Sequence, residues 1–378
     1  MNITIVGAGI VGCAIAHELA SRGARVQLID SRGVARGATH ASAGILAPQI
    51  EGHIPQLRSL AACSLAMYDD FIRRVEIDSH RAIEYSRKGT LQVAVDTTDA
   101  QALSRDAEAL AAAGVECRML DAEEAKRFEP ALTSRVTAAL LVPTHGHVAA
   151  APLTEALAEA AQARGVRLSI AAVHGIDGGG NVARVTMAEE TIESDLVIIA
   201  SGSWRVPSRP TEPPAVKPIR GQLVQLQADR VPASRVIWAT ACYLVPWSDG
   251  TVLVGATVED VGFDEHPTAE GVRGLLNAAI DLIPSLGTAH FEAVRVGFRP
   301  KTVDELPFIG RSETMPRVFY AVGHYRNGVL LAPLTAALMA DLVLENKERP
   351  ELALVKPGRL ANAERGFASL EGSIFLDK

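Results

Sequence analysis

The chain is poor in the features that mark whole classes of protein. Only four of its 378 residues are cysteine. Cys13, Cys63, Cys117 and Cys242 are scattered, with no C-x-x-C or ligand-like spacing. That argues against a disulfide framework or a cysteine metal site and fits the reduced thiols of a cytoplasmic protein. There is no excess of basic charge. The net charge is −7 and the pI about 5.8, so nothing favours a nucleic-acid partner. No long uninterrupted apolar run is present. The most apolar late stretch, Val329 to Leu344, contains Pro333, Thr335 and Asp341 and is too short and interrupted to span a bilayer. The N-terminus enters a strand with no basic n-region, so no signal peptide is expected. Repeats are missing, and His53, His145 and His147 show no partner spacing, so no metal is expected.

Hydrophobic residues make up 48% of the chain, enough for a large core of two to three domains, or of two interleaved ones. The most informative stretch is Met1 to Asp30. Asn2 to Val6 is a β-branched apolar run that predicts a buried strand. Gly7, Gly9 and Gly12 follow in G-x-G-x-x-G spacing, then Ala14, Ile15 and Leu19 recur at helical intervals. Arg25 to Ile29 predicts a second strand closed by Asp30, about 20 residues past the glycines. In this order the parts form a dinucleotide-binding unit. Gly7 permits the tight turn, Gly9 lets a pyrophosphate approach, and Gly12 lets the helix pack close. The helix N-terminus offers amides and a positive dipole end to the phosphates. Asp30 suits ribose hydroxyls and disfavours a 2′-phosphate.

The loop after Asp30, SRGVARGATHASAGILAPQ, is built of small residues that allow a flat ligand to lie along it. One helix is expected over Ser59 to Ile77, a strand over Lys88 to Asp96, a helix over Asp99 to Ala113, a capped helix over Asp121 to Phe128 and a strand over Ala138 to Pro143. Pro152 to Ala163 predicts a helix and Val166 to Val173 a strand. A glycine-dense turn is expected over Gly175 to Gly180, and Leu196 to Ala200 predicts a strand running into Ser201 and Gly202. Five of the twenty prolines fall between Arg205 and Pro218, which reads as a stiff linker. From Gly221 the period becomes two, through QLVQLQA, VIWATACYLVPW and GTVLVGATV, predicting antiparallel strands of a second sheet. A helix over Gly271 to Ile283, strands over Phe291 to Phe298 and Val318 to Val322, and a last helix to about Leu344 complete the pattern.

Together GAGIVG, ASGSW, GFRPKTVDELPFIG and GHYRNGVLLAP resemble the FAD-dependent amine and amino-acid oxidases, a family spanning glycine oxidase, D-amino-acid oxidase and sarcosine oxidase. Within it the chain is most similar to glycine oxidases of the thiamine-biosynthesis type. The resemblance covers essentially the whole chain. It implies an α/β Rossmann-like FAD-binding domain interleaved with a mixed or antiparallel-sheet substrate domain. The expected division is 1–84, 146–215 and 300–378 for FAD, and 85–145 and 216–299 for substrate. By motif, Ile10, Val11, Asp30, Ser31, Ala38, Thr39, Ala43, Gly44, Ile45 and Val173 would touch FAD, with Gly7, Gly9 and Gly12 shaping the turn. The run His324, Tyr325, Arg326, Asn327, Gly328, Val329 and Leu330 would do so too. Arg299 would bind the substrate carboxylate, because a planar guanidinium meets a planar carboxylate with two parallel bonds. Arg326 and Tyr243 would assist. Amides opening the helix at Asn327-Gly328 would stabilise negative charge on the flavin N1–C2=O edge.

Three departures from the family pattern stand out. Ala241 replaces a histidine before the Cys-Tyr pair, which would change the polarity of the pocket, and His40 replaces a smaller residue. Gly297 and Phe298 stand where a flavin-linking cysteine would sit, so FAD is expected to be non-covalent. The implied reaction passes hydride from Cα of a small amino acid to flavin N5. The imine then hydrolyses, and O2 is reduced to H2O2. No side-chain base is nominated. The alternatives are a D-amino-acid or hydroxy-acid dehydrogenase serving a quinone or carrier, and a flavin-binding subunit without turnover. Self-association is left open.

Overall fold

The computed structural model describes residues 1–50, 55–209 and 216–360. Its organising layer is a six-stranded sheet with the order Phe308–Arg311, Val318–Val322, Leu196–Ile199, Asn2–Val6, Arg25–Asp30, Arg167–Ile170. All neighbours run parallel except the Phe308–Arg311 edge. Both faces of the central strands are covered, which is why Leu196–Ile199 and Val318–Val322 read as continuous apolar runs and even Thr4 in Asn2–Val6 is buried. Ile3, Ile5, Leu28 and Ile198 face a helical layer of Ile10–Ser21, Ala150–Ala163 and Gly328–Glu345. Val6, Ile29, Val197 and Ile199 face a four-stranded sheet that contains Gly175–Asp177 and Ala183–Thr186. Gly328–Glu345 has the length and composition to cross a membrane, yet 78% of it is buried, as the central core helix.

The second large sheet has eight strands, drawn from residues 90–142 and 217–301. It is antiparallel except where Val236–Trp238 runs parallel to Thr90–Ala94. The period of two sorts its side chains cleanly. Val224, Leu244, Val254 and Cys242 pack with Leu275, Ala279 and Leu282 of the Ala269–Leu282 helix. Leu223, Val245 and Leu253 face the other way, with Tyr243 and Trp238, onto Ala43 and Ile45 of the small-residue loop.

Several expected boundaries shift. The helix expected over Ser59 to Ile77 is two, Pro55–Ala66 and Tyr68–Ser79, with a turn at Met67. They serve different partners: the first lies on the Gly328–Glu345 helix and the second on Ala150–Ala163. Tyr68 at the break is fully buried, and its hydroxyl donates to the Val329 carbonyl at 2.5 Å. The glycine-dense turn is confined to Gly178–Gly180, because Gly175–Asp177 pairs in the four-stranded sheet. Only Arg167–Ile170 of the Val166 to Val173 run is strand. The proline-rich segment is no simple linker: Ser208–Arg209 pairs with Gly175–Asp177, and Pro218 sits in the long strand Lys217–Gln227 opposite Pro300. Such a position fits a residue that cannot donate to the ladder only because its amide is not required there. The rest of that segment, 210–215, lies outside the described residues, as does His53. The strand expected over Phe291 to Phe298 runs from His290 to Lys301.

Candidate active site

The carboxyl ends of the parallel strands and the inner face of the eight-stranded sheet enclose a cleft of about 380 Å³. The parallel strand order reverses beside Asn2–Val6, and open sheets of this kind bind ligands at that switch point. Gly7 after the first strand, Asp30 ending the second, Ala171 to Val173 after the third and Ala200 to Gly202 after the fourth all line it.

At the dinucleotide end the glycines do three different jobs. Gly7 has φ +114, and a Cβ there would collide with the Ala200 carbonyl. At Gly12 a Cβ would collide with the Gly7 carbonyl, so this glycine sets the distance between helix and strand and does not line the cleft. Gly9 is the N-cap of Ile10–Ser21, and a Cβ there would meet only Thr39 Oγ1 at 3.4 Å. Its bareness serves what lies in the cleft. The Thr39 hydroxyl accepts from Ile10 N at 3.1 Å, while the amides of Gly9 and Val11 have no partner among the described residues. Those amides at a helix N-terminus suit a pyrophosphate.

Asp30 is busier than its motif suggests. Oδ2 accepts from Ala8 N at 2.8 Å, and Oδ1 accepts from Arg32 N at 2.7 Å and Gly33 N at 3.1 Å. By count of lone pairs, Oδ2 keeps one acceptor site for a ribose hydroxyl. The N–H and C=O of Val173 have no partner among the described residues, which fits the edge of a purine. Ser31, Ala38, Ala43, Gly44 and Ile45 complete this wall. The residues present therefore fit a dinucleotide with a flat second half.

The opposite wall carries the charge. Arg299, on strand His290–Lys301, lays its guanidinium over bare Gly221, where a Cβ would collide with it. Nη1 donates to the carbonyls of Thr257 at 3.0 Å and Arg220 at 3.4 Å. Among the described residues no carboxylate pairs with it. Tyr243 leans on Gly255, which has no side chain to obstruct the ring, and its ring centroid is 4.9 Å from that of Trp238. Arg326 is exposed at the rim, its guanidinium 5.1 Å from the Tyr325 ring centroid. Tyr325 sits at φ +48, a left-handed backbone that an aromatic residue rarely adopts, held by the hydrogen bond its N–H donates to the Pro300 carbonyl at 2.9 Å. The chain then opens the Gly328–Glu345 helix into the cleft, with Asn327, Gly328, Val329 and Leu330 on its lining.

Two titratable groups bear on proton handling. His324 is 3% exposed, shares a proton with Thr335 Oγ1 at 3.1 Å, and is pushed down to about 3 by burial. Asp30 is the single acid on the lining among the described residues, at the dinucleotide end. The lining thus offers no base placed beside Arg299. The departures at positions 241 and 40 also move. Ala241 is exposed in the turn between Val236–Trp238 and Tyr243–Pro246, and His40 is exposed; neither lines the cleft, so the expected change of pocket polarity at Ala241 has no place to act. No cysteine lines it either, and Cys242 faces the other side of its sheet.

Sequence reading assigned no site role to Trp204, Trp238, Gly221 and Leu223, and reached Arg32 only as part of the small-residue loop; all five are on the lining. Gly221 carried a usable signal, since glycine inside a strand marks close approach of another group. The others reach the cleft only through loop and sheet geometry.

Comparison with known proteins agrees with this arrangement. The profile of the DAO family, FAD dependent oxidoreductase, matches residues 2–342. Glycine oxidase of Geobacillus kaustophilus is 35% identical over 359 residues, spanning 92% of this chain and 93% of that protein. The crystal structure of glycine oxidase from that organism superposes with a TM-score of 0.90 at 34% identity, covering 94% of this chain and 98% of that one. The bifunctional protein ThiO/ThiG of Synechocystis sp. is 34% identical over 372 residues, 95% of this chain but 54% of that protein, so the chain spans about half its length. By profile, relatives and fold alike, the chain belongs to the DAO family of FAD-dependent oxidoreductases, in the group that holds the glycine oxidases.

Proposed function

We propose that the protein is an FAD-dependent oxidase of glycine and other small amino acids. The observation that carries this reading is Arg299. It is a partly buried cation in the cleft whose partners are neutral carbonyls, and a cation in such a place calls for an anion. A substrate carboxylate is that anion. Bound FAD would supply the hydride acceptor for the substrate Cα and a route for the two electrons on to O2, giving H2O2.

The chain's own residues orient and select. Arg299 fixes the carboxylate with Tyr243 beside it, and Arg326 stands at the rim. With no base on the substrate side, the amine must enter with its lone pair free, so the protein contributes orientation more than proton transfer. His324, neutral and bonded to Thr335, packs the strand-to-helix turn that presents Asn327 to Leu330. We assign FAD binding to 1–84, 146–215 and 300–378, and substrate binding to 85–145 and 216–299. The distribution of strands between the two large sheets supports this, apart from Pro300 and Lys301, which extend the substrate sheet. A use in thiamine biosynthesis belongs to this reading through the motifs that resemble glycine oxidases of the thiamine-biosynthesis type.

The deciding experiment is a substrate panel with peroxide readout. Glycine, sarcosine and small D-amino acids are expected to bleach the flavin anaerobically, and admitting O2 to restore it with one H2O2 per turnover. A flavin that these substrates reduce but O2 leaves reduced would sink the oxidase reading and point to a dehydrogenase.

The cofactor is expected to be held without a covalent bond, because Gly297 and Phe298 occupy the linking positions and no cysteine lines the cleft. The purified protein should be yellow, and acid precipitation should leave all the FAD in the supernatant. Flavin remaining with the pellet would contradict this.

A further inference from the structure

One acid stands behind Arg299 and touches every element that holds it. Glu259 lies in the loop between strand Thr251–Gly255 and the Ala269–Leu282 helix. Val258 and Asp260 on either side, and residues 261–268 beyond, are exposed, whereas Glu259 is turned inward. Its carboxylate pairs with Arg220, which is 3% exposed, and accepts from Gln222 Nε2 at 2.6 Å, with Gln222 fully buried. Gln222 in turn fastens both ends of the loop. Its Oε1 accepts from Thr268 N at 2.8 Å, its backbone N donates to Thr257 Oγ1 at 2.9 Å, and its carbonyl accepts from Thr257 N at 3.2 Å. Glu259 N donates to the Arg220 carbonyl at 3.0 Å, and Arg220 N to the Glu259 carbonyl at 2.8 Å. The two carbonyls that hold the Arg299 guanidinium are those of Thr257 and Arg220. Both are thus set by residues that Glu259 ties together.

We propose that Glu259 is a positioning residue for substrate recognition, aiming Arg299 through the Thr257 and Arg220 carbonyls without itself touching substrate. This rests on the reading of Arg299 as the carboxylate site. The physical reason is that two backbone carbonyls, and no carboxylate among the described residues, fix the guanidinium, so its direction depends on how rigidly those carbonyls are held. Freed of the carboxylate, Arg220 keeps Asp264 at 2.7 Å and the His266 carbonyl at 2.9 Å, but the bond to Gln222 and the loop's inward anchor change character. The cost falls on carboxylate alignment and not on FAD, since Glu259, Arg220 and Gln222 do not line the cleft.

The test uses the FAD-loaded enzyme. In Glu259→Gln, KM for glycine should rise about tenfold with kcat within about threefold, because a modest misalignment of a binding group is felt first in ground-state affinity. The Kd of glycolate, read from perturbation of the flavin spectrum, should rise in parallel, and kcat/KM for methylamine, which has no carboxylate, should not move. In an Arg299→Ala background the same substitution should have no further effect on any of these. Unchanged KM and glycolate Kd in Glu259→Gln, with Arg299→Ala still selective against glycine, would overturn this proposal and leave the carboxylate site standing. An Arg299→Ala that affects glycine and methylamine equally would overturn both. If Glu259→Gln does not yield folded holoenzyme, Glu259→Asp keeps the charge beside Arg220 but shortens the reach to Gln222; a raised glycolate Kd there supports the proposal, and a wild-type value overturns it.

Discussion

Arg299→Ala is expected to lower kcat/KM for glycine by about a hundredfold or more, while the protein keeps its FAD and its stability. A hydrogen bond to a charged group contributes about 1.5–3 kcal/mol, a guanidinium can give a carboxylate two of them, and each 1.36 kcal/mol is tenfold in rate. Stability should hold because the side chain is only partly buried and forms no ion pair among the described residues, so its removal strands no opposite charge. Arg299→Lys should recover part of the loss, since an ammonium supplies charge without the planar fork. The comparison that decides is kcat/KM for glycine against methylamine in wild type and variant. A fall confined to glycine supports the carboxylate role. An equal fall for both, or none, makes Arg299 structural and removes the main support for an amino-acid substrate.

Gly9→Val is expected to weaken FAD binding by about 10–100-fold, or about 1.4–2.8 kcal/mol, with the apoprotein's melting temperature close to that of wild-type apoprotein. The backbone at Gly9, φ −75 and ψ −179, is extended and open to any residue, and a Cβ meets nothing closer than Thr39 Oγ1 at 3.4 Å. A side chain there intrudes on the cleft and not on the protein. Gly12→Ala makes the contrast: its Cβ would collide with the Gly7 carbonyl, so both flavin and stability should be lost. Flavin-to-protein absorbance ratio and apoprotein melting separate the two. Full flavin content in Gly9→Val would show that the pyrophosphate lies elsewhere.

What the sequence determined by itself was whatever is local. Gly7, Gly9, Gly12 and Asp30 announce strand, turn, helix and strand because each constraint there acts over a few residues. The capping box at Asp121 and Glu124 was legible for the same reason, as were the alternating strands after Gly221. The resemblance then placed Arg299, Tyr243 and the His324 to Leu330 run at one site, and the fold brings all of them onto one cleft lining.

What only the tertiary structure decided was set by contacts between distant segments. Met67 breaks a helix because two halves need different partners, and no residue there is a helix breaker. The end of the proline-rich stretch, Lys217 and Pro218, is strand because Lys217–Gln227 finds His290–Lys301 beside it. Thr39 turns out to cap a helix 29 residues earlier in the chain, and Asp30 spends most of its acceptors on backbone amides, two in its own loop and one at Ala8. Glu259 reads as one more acid in an exposed loop until the fold sets it behind Arg220 and Gln222. Side-chain chemistry is written in the sequence; which groups are left without partners is decided only when the two sheets close around the cleft.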